Sequence, residues 1–238
     1  MKNFLALTLF LLALSSFGQF RPNNDITWYR DEFDDKQFSW GYFLGTNLMV
    51  FKVVPDDPGI SEQGMIYLRQ SNKIGFSVGL MGKMKLSKNF DLKMEPGIHF
   101  AQRDLYFGNL TTETDSLREV KSTYLDVPIL LKFHGNRWAN TRPYIQAGFG
   151  YMVNLQSNEA KKEDNLQDIF RMKTHNLNWQ FEMGIELYFK KFKLTPSLKG
   201  IFLFNNELVP DNPDTPPMWT GTLKSLSTRA FVFSLKFE

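Results

Sequence analysis

The stretch Asn176-Leu177-Asn178-Trp179-Gln180-Phe181-Glu182-Met183-Gly184-Ile185-Glu186-Leu187 decides the fold. Every odd position is apolar and every even one is polar or glycine. Successive side chains of a strand point to opposite faces, so this period of two reads as a β-strand with one oily and one polar side. Its polar side carries Glu182 and Glu186, which no apolar protein core would accept unpaired.

The same pattern recurs on both sides of that stretch. Upstream, Ile145, Ala147, Phe149, Tyr151 and Val153 alternate with Arg142, Gln146, Gly148, Gly150 and Asn154, and Leu125 to Phe133 alternate with Tyr124, Asp126, Leu130 and Lys132. Phe90, Leu92, Met94, Ile98 and Phe100 face away from Asp91, Lys93, Glu95, His99 and Arg103. Ile74 to Leu86 oppose Ser77, Gly79, Lys83 and Lys85, while Trp40, Tyr42, Leu44, Leu48 and Val50 oppose Gly41, Gly45 and Asn47. Downstream, Phe192 to Phe204 alternate with Lys193, Thr195, Ser197 and Lys199, and Phe231, Phe233, Leu235 and Phe237 with Val232, Ser234 and Lys236. Pro96, Pro128, Pro143 and Pro196 fall inside these segments, where a missing ladder donor predicts bulges or strand ends.

The connections alternate in length. Long polar loops (53–72, 108–119, 156–173, 205–224) take turns with tight ones at Ser87-Lys88-Asn89, His134 to Thr141 and Lys190-Lys191. Strands joined this way run up and down across something with two unlike sides, as in outer-membrane barrels. A Lys or Arg facing lipid at the bilayer midplane costs roughly 2–4 kcal/mol, so the charged face must turn inward. The expected fold is therefore all-β: an eight-stranded antiparallel up-and-down transmembrane β-barrel with a filled polar interior. Barrels of about eight strands have room inside only for side chains, which predicts a plugged barrel and not a pore.

The chain begins with Lys2, an apolar run from Phe4 to Leu14, and small residues at Ser16 and Gly18. This reads as a secretory signal peptide over residues 1–18, with cleavage before Gln19. Residues 19–37, which include Asp31, Glu32, Asp34 and Asp35, form a periplasmic lead-in, and residues 38–238 the barrel. No later run reaches the roughly 20 apolar residues of a membrane helix. The chain has no cysteine, which excludes a lipidated cysteine and any disulfide framework. A net charge of +3 without a basic cluster gives no ground for a nucleic-acid partner; the expected partner is outer-membrane lipid.

Chemistry-bearing residues are few. His99, His134 and His175 fit no metal-ligand spacing, and no nucleophile elbow or phosphate loop is present. Ser122 with His175 is the one nucleophile–base pairing considered. Glu95, Asp126, Glu182 and Glu186 are balanced by inward Lys83, Lys85, Arg103, Lys132 and Lys199. Lys83, Glu95, Arg103, Asp126, Lys132, Glu182 and Glu186 are accordingly expected to form a structural polar network, with no catalytic, cofactor-binding or metal-binding residues. The loops supply the candidates for partner contact: Ile169 and Phe170, which with Leu166 have helical spacing, and Trp219 in a proline-stiffened loop. Trp40, Trp138 and Trp219 also suit an interfacial aromatic belt.

Several stretches resemble the Bacteroidetes outer-membrane β-barrel superfamily. They are Lys121-Ser122-Thr123-Tyr124-Leu125-Asp126-Val127-Pro128-Ile129-Leu130-Leu131-Lys132-Phe133, Arg142-Pro143-Tyr144 and Gly148-Phe149-Gly150-Tyr151. Together with Phe38-Ser39-Trp40-Gly41-Tyr42, Leu44-Gly45-Thr46-Asn47, Glu95-Pro96-Gly97, Gln102-Arg103-Asp104-Leu105-Tyr106-Phe107 and Ser227-Thr228-Arg229-Ala230-Phe231, they resemble more narrowly the PorT (SprT) family. That resemblance implies a non-enzymatic component of the type IX secretion system. Such a component would be needed to export cargo with C-terminal secretion domains, and for gliding motility in some bacteria, with other secretion subunits as partners. A filled barrel would serve there as an accessory and not as the conduit. The alternatives are an OmpX- or OmpA-like surface adhesion or envelope-integrity barrel and, less favoured, a PagP-like lipid-modifying enzyme.

Overall fold

A computed structural model describes residues 36–55, 68–107, 117–161, 170–210 and 223–238. The predicted signal peptide and nearly all of the lead-in lie outside these residues. Ten strand segments follow one another: β1 (Phe38–Pro55), β2 (Leu68–Asn72), β3 (Ile74–Lys85), β4 (Phe90–Met94), β5 (Gly97–Phe107), β6 (Leu117–His134), β7 (Thr141–Asn154), β8 (His175–Tyr188), β9 (Lys193–Leu203) and β10 (Leu223–Phe237). β2 and β3 are halves of one crossing, broken at Lys73, and β4 and β5 halves of another, broken at Glu95-Pro96. All pairings are antiparallel between successive crossings, and β1 closes on β10 while also pairing β3. The result is a closed ring of eight strands, in which the short β2 pairs β5 alone.

The tight turns and both barrel ends share one rim. Leu86 and Ser87 donate to the Phe90 carbonyl, and Phe189 donates to Phe192. Trp138 and Thr141 exchange both backbone bonds around Ala139, which takes a left-handed φ of 51°. Tyr42 pairs with Phe237, so chain entry and exit meet at this rim.

Parity is kept around the ring. Outward positions are apolar and exposed, from Trp40 and Ile74 to Phe149 and Phe233, as a lipid-facing wall requires. Aromatic pairs mark both borders of that wall. Tyr42–Phe237, Phe90–Phe133 and Phe189–Phe192 lie near the short-turn rim, and Phe149–Phe204 and Tyr151–His175 near the other. Trp40 and Trp138, both exposed, stand in the short-turn belt, whereas Trp219 lies outside the described residues.

Three expectations need correction. Pro128 and Pro196 sit mid-strand without a bulge: Pro128 pairs with Gly150 and Pro196 with Leu235, and the register is the same on either side of each. Each removes one donor, but the paired residues flanking it hold the phase. Only Pro96 falls at a strand break, as expected, and its carbonyl still accepts from Leu80 at 2.9 Å. Secondly, the strands run farther toward the long-loop rim than predicted, β6 from Leu117 and β10 from Leu223, and β2 occupies part of an expected loop. At 18 residues, β1 and β6 exceed the 9–11 or so that cross a bilayer, so the wall continues beyond the lipid. Thirdly, His134 is not in a turn but is the buried last residue of β6.

Candidate functional site

The inward side chains stack in layers along the axis. Nearest the short-turn rim, Glu186 on β8 accepts from Lys132 on β6 at 2.6 Å and Arg142 on β7 at 2.7 Å, and forms an ion pair with Lys193 on β9 at 3.1 Å. Lys132 also lies 3.4 Å from Asp91, as does His134. The final residue, Glu238, completes this layer through Lys193 and, at 3.5 Å, Lys83. Glu238 follows the last strand. Burial acts to raise its carboxyl, but the Lys193 and Lys83 ammoniums prevail and hold it at about 2.

The next layer is centred on Glu95. Its carboxylate meets Lys93 at 2.8 Å, Lys199 at 2.7 Å and Lys236 at 2.5 Å, and Gln146 donates to it at 3.1 Å. Glu182 shares Lys236 at 2.7 Å and Lys199 at 3.5 Å, and accepts the Tyr144 hydroxyl at 2.6 Å. Phe43 enters this layer from β1. Its ring lies over the facing pair Gly79 and Gly97, where an added Cβ would come within 2.5 and 2.6 Å of it. Bare backbone is what admits an aromatic ring into so narrow a lumen.

Farther along, Asp126 accepts from Asn178 at 3.0 Å and Gln180 at 2.6 Å, with His99 at 3.9 Å. His99 bonds Ser77, which also accepts from Asn47. Next along the axis comes Arg103, whose guanidinium lies 3.8 Å from the Phe51 ring centroid. It donates to Thr228 at 2.9 Å, Ser122 at 2.6 Å and Tyr124 at 3.1 Å. Glu207, from the connection between β9 and β10, dips in to accept from Tyr124 at 3.1 Å and from the Thr228 amide at 2.7 Å. Burial pushes the Glu207 carboxyl up, partly offset by Arg103.

The seven expected network residues thus fall into distinct layers. Lys132 and Glu186 are bonded, Glu95 and Glu182 are joined through shared lysines, and Lys83 pairs with Glu238. Asp126 is held by amides, and Arg103 is surrounded by hydroxyls where an opposite strand charge was expected. Glu207, Glu238 and Tyr144 escaped the sequence reading; Glu207 in particular lies in a segment with no alternation.

Toward the long-loop rim the filling turns mainly apolar, with Arg118 the buried exception on β6. Phe51, Leu105, Val120, Leu223 and Leu226 point inward there and are capped by Phe170, Met172 and Leu208 from the connecting loops. Phe170, expected to contact a partner, is only 8% exposed and belongs to this cap. Ile169 and Trp219 lie outside the described residues. Lys132, Gln180 and Glu182 have no surface reachable by water, so no aqueous column passes them.

Ser122 and His175 are not brought together. Ser122 is buried in the lumen against Arg103, while His175 stands on the outer face, stacked on Tyr151 with the hydroxyl 2.6 Å from its Nδ1. Among the described residues no cluster of His, Asp or Glu is placed to hold a metal ion.

The chain is similar to OprG from Pseudomonas aeruginosa (12% identity, TM-score 0.45, 83% of this chain and 95% of that one). It is also similar to Neisserial surface protein A (8%, 0.41, 84% and 98%). A third similar structure is Ail of Yersinia pestis, solved with the heparin analogue sucrose octasulfate (8%, 0.40, 85% and 99%). No curated protein matches. The family described as outer membrane protein beta-barrel domain matches residues 17–209, stopping just before the strand that closes the ring. With most of its length matched, and with a closed wall that is apolar outside and charged within, the chain belongs to the outer membrane protein beta-barrel domain family.

Proposed function

We propose that this protein is a non-enzymatic accessory component of the type IX secretion machinery, exported by the signal peptide of residues 1–18 and acting through its rims. The observation that supports an accessory role is the filled lumen. Glu95 ties opposite walls together, Glu182 and Glu186 join strands that share no ladder, all at bonding distance, and an apolar cap closes the far end. No polypeptide could thread such a barrel without dismantling it, so any part in export is played from outside the lumen. The lumenal carboxylates are bound by lysines, arginine or amides, which suits structure better than acid–base chemistry.

The particular machinery is inferred from the PorT-like residues, above all Lys121 to Phe133 with Arg142-Pro143-Tyr144. Deleting the gene and measuring export of cargo bearing C-terminal secretion domains tests the proposal; secretion unchanged from wild type refutes it. Affinity purification from the native outer membrane should recover translocon subunits. A barrel recovered alone, with altered cell adhesion on deletion, would indicate a surface-adhesion protein instead.

A further inference from the structure

Above its apolar band the outer wall carries cations of two kinds. Lys73 and Lys121 are neutralised, by Asp104 at 2.9 Å and by Glu119 at 3.5 Å. Lys52 on β1, Arg69 on β2 and Arg229 on β10 are not: all three are exposed, and among the described residues none has an ion pair or a side-chain hydrogen bond. The strands that carry them cannot supply a counter-charge, since β1, β2 and β10 contain no Asp or Glu.

The three cations form one patch. Lys52 faces Ser227 across the β1–β10 ladder and Arg229 faces Val50, which places Lys52 and Arg229 diagonally about 7–8 Å apart on the same face. On the other side of β1, the Phe51 amide donates to the Gln70 side chain at 3.2 Å, and this sets the outward neighbours Lys52 and Arg69 side by side. Lys224, also exposed, extends the patch toward the long-loop rim. Toward the midplane the wall turns apolar at once. Phe202, the ladder partner of Arg229, stacks on Trp179 at 4.5 Å and meets Phe231 edge-on at 6.2 Å.

We propose that Lys52, Arg69 and Arg229 bind the phosphate head of an anionic lipid in the outer leaflet, with its acyl chains lying along Phe231, Phe202 and Trp179. Long loops of such barrels face the cell exterior, so the patch stands at the height of the outer headgroups. Its position favours a lipid over an acidic protein. Arg229 is two residues, about 7 Å, from the lipid-facing Phe231, a depth that a folded partner reaches only by displacing headgroups. A bound phosphate relieves the mutual repulsion of the cations, for which the three strands hold no carboxylate.

Trp179 can report on this site. In full-length mature protein the other tryptophans, Trp28, Trp40, Trp138 and Trp219, are replaced by phenylalanine. The protein is folded in phosphatidylcholine vesicles, and folding is checked by the mobility of unheated samples on gels. Part of the lipid is then exchanged for brominated phosphatidylglycerol or brominated phosphatidylcholine, each of which quenches tryptophan on contact. The patch predicts an affinity of phosphatidylglycerol for the position beside Trp179 about five times that of phosphatidylcholine. Lys52→Gln with Arg69→Gln and Arg229→Gln should bring the ratio to one, and salt at about 1 M should lower it. Removing the neutralised pairs whole, Lys73→Gln with Asp104→Asn and Lys121→Gln with Glu119→Gln, should leave it unchanged. Equal affinities of the two lipids, or a preference that the triple variant keeps, would overturn the proposal. Equal affinities together with loss, in the triple variant, of proteins that co-purify from the native membrane would assign the patch to an acidic protein partner and overturn it as well. Quenching is read without secretion, so its failure leaves the proposed role in export untouched.

Discussion

Glu95→Gln is the sharpest perturbation of the lumen. In the native layer, the carboxylates of Glu95 and Glu182 face the ammoniums of Lys93, Lys199 and Lys236, leaving one positive charge in excess. The amide removes one negative charge and doubles that excess in a buried layer. It also turns an NH₂ toward donors at 2.5 to 2.8 Å. Breaking one member of a buried ion-pair set costs about 3–5 kcal/mol. Lys93 is the partner to delete in compensation, because among the described residues its only ion pair is with Glu95. Lys93→Met keeps the apolar stem and returns the excess to a single charge, so the double variant should recover at least half of the loss. Guanidinium unfolding in phospholipid vesicles, followed by tryptophan fluorescence and by the mobility of unheated samples on gels, reads both values. A loss below about 1 kcal/mol for Glu95→Gln, or a double variant no better than the single one, would refute the assignment of Glu95 as the hub of its layer.

Planar-bilayer recordings should show no large, stable open-channel current, because the lumen is filled by charged layers and an apolar cap. Steady conductance would contradict that filling. Gly97→Ala sets a Cβ against the Phe43 ring at 2.6 Å and should cost about 1–3 kcal/mol. Adding Phe43→Leu should return part of that loss in the same unfolding assay, and no rescue would mean the ring is not the obstacle. Glu238 is depressed from 4.5 to about 2 in the folded protein, so its contribution is full above pH 4.5 or so and is lost as pH falls toward 2. That loss is on the order of 3 kcal/mol, and Glu238→Gln should flatten the stability profile across this window.

Most of the wall was legible in the sequence because lipid imposes a contrast on it. From Trp40 to Phe237, an apolar residue outward and a polar one inward write a period of two into the chain. Where the wall rises above the lipid the contrast vanishes. Arg69, Glu119 and Lys121 are exposed on the outside, so β2 and the first residues of β6 read as loop. The cap was hidden for the complementary reason: Phe51, Leu105 and Val120 are apolar and inward, against the rule that reveals the rest. The partners within the lumen depend on which strands face one another across the axis. Parity places Glu95 and Lys199 inside, but only closure of the ring brings their charges to 2.7 Å. Glu207 needed a loop to fold inward, for which a lone glutamate gives no signal.

The β4–β5 crossing, where Glu95 sits, and β9, which carries Lys199, are four places apart in a ring of eight, and so lie diametrically opposed. Asp126 to Asn178 and Arg103 to Thr228 likewise span strands that share no ladder. Hydrogen-bonded ladders run around a barrel and resist its opening, yet leave its cross-section free to become oval. These side chains act as spokes, and a spoked cylinder keeps its roundness under load. A force applied to one rim would therefore reach the other as a tilt or shift of the whole body. Such a protein is suited to be a fixed post in the membrane against which larger, moving partners can be braced.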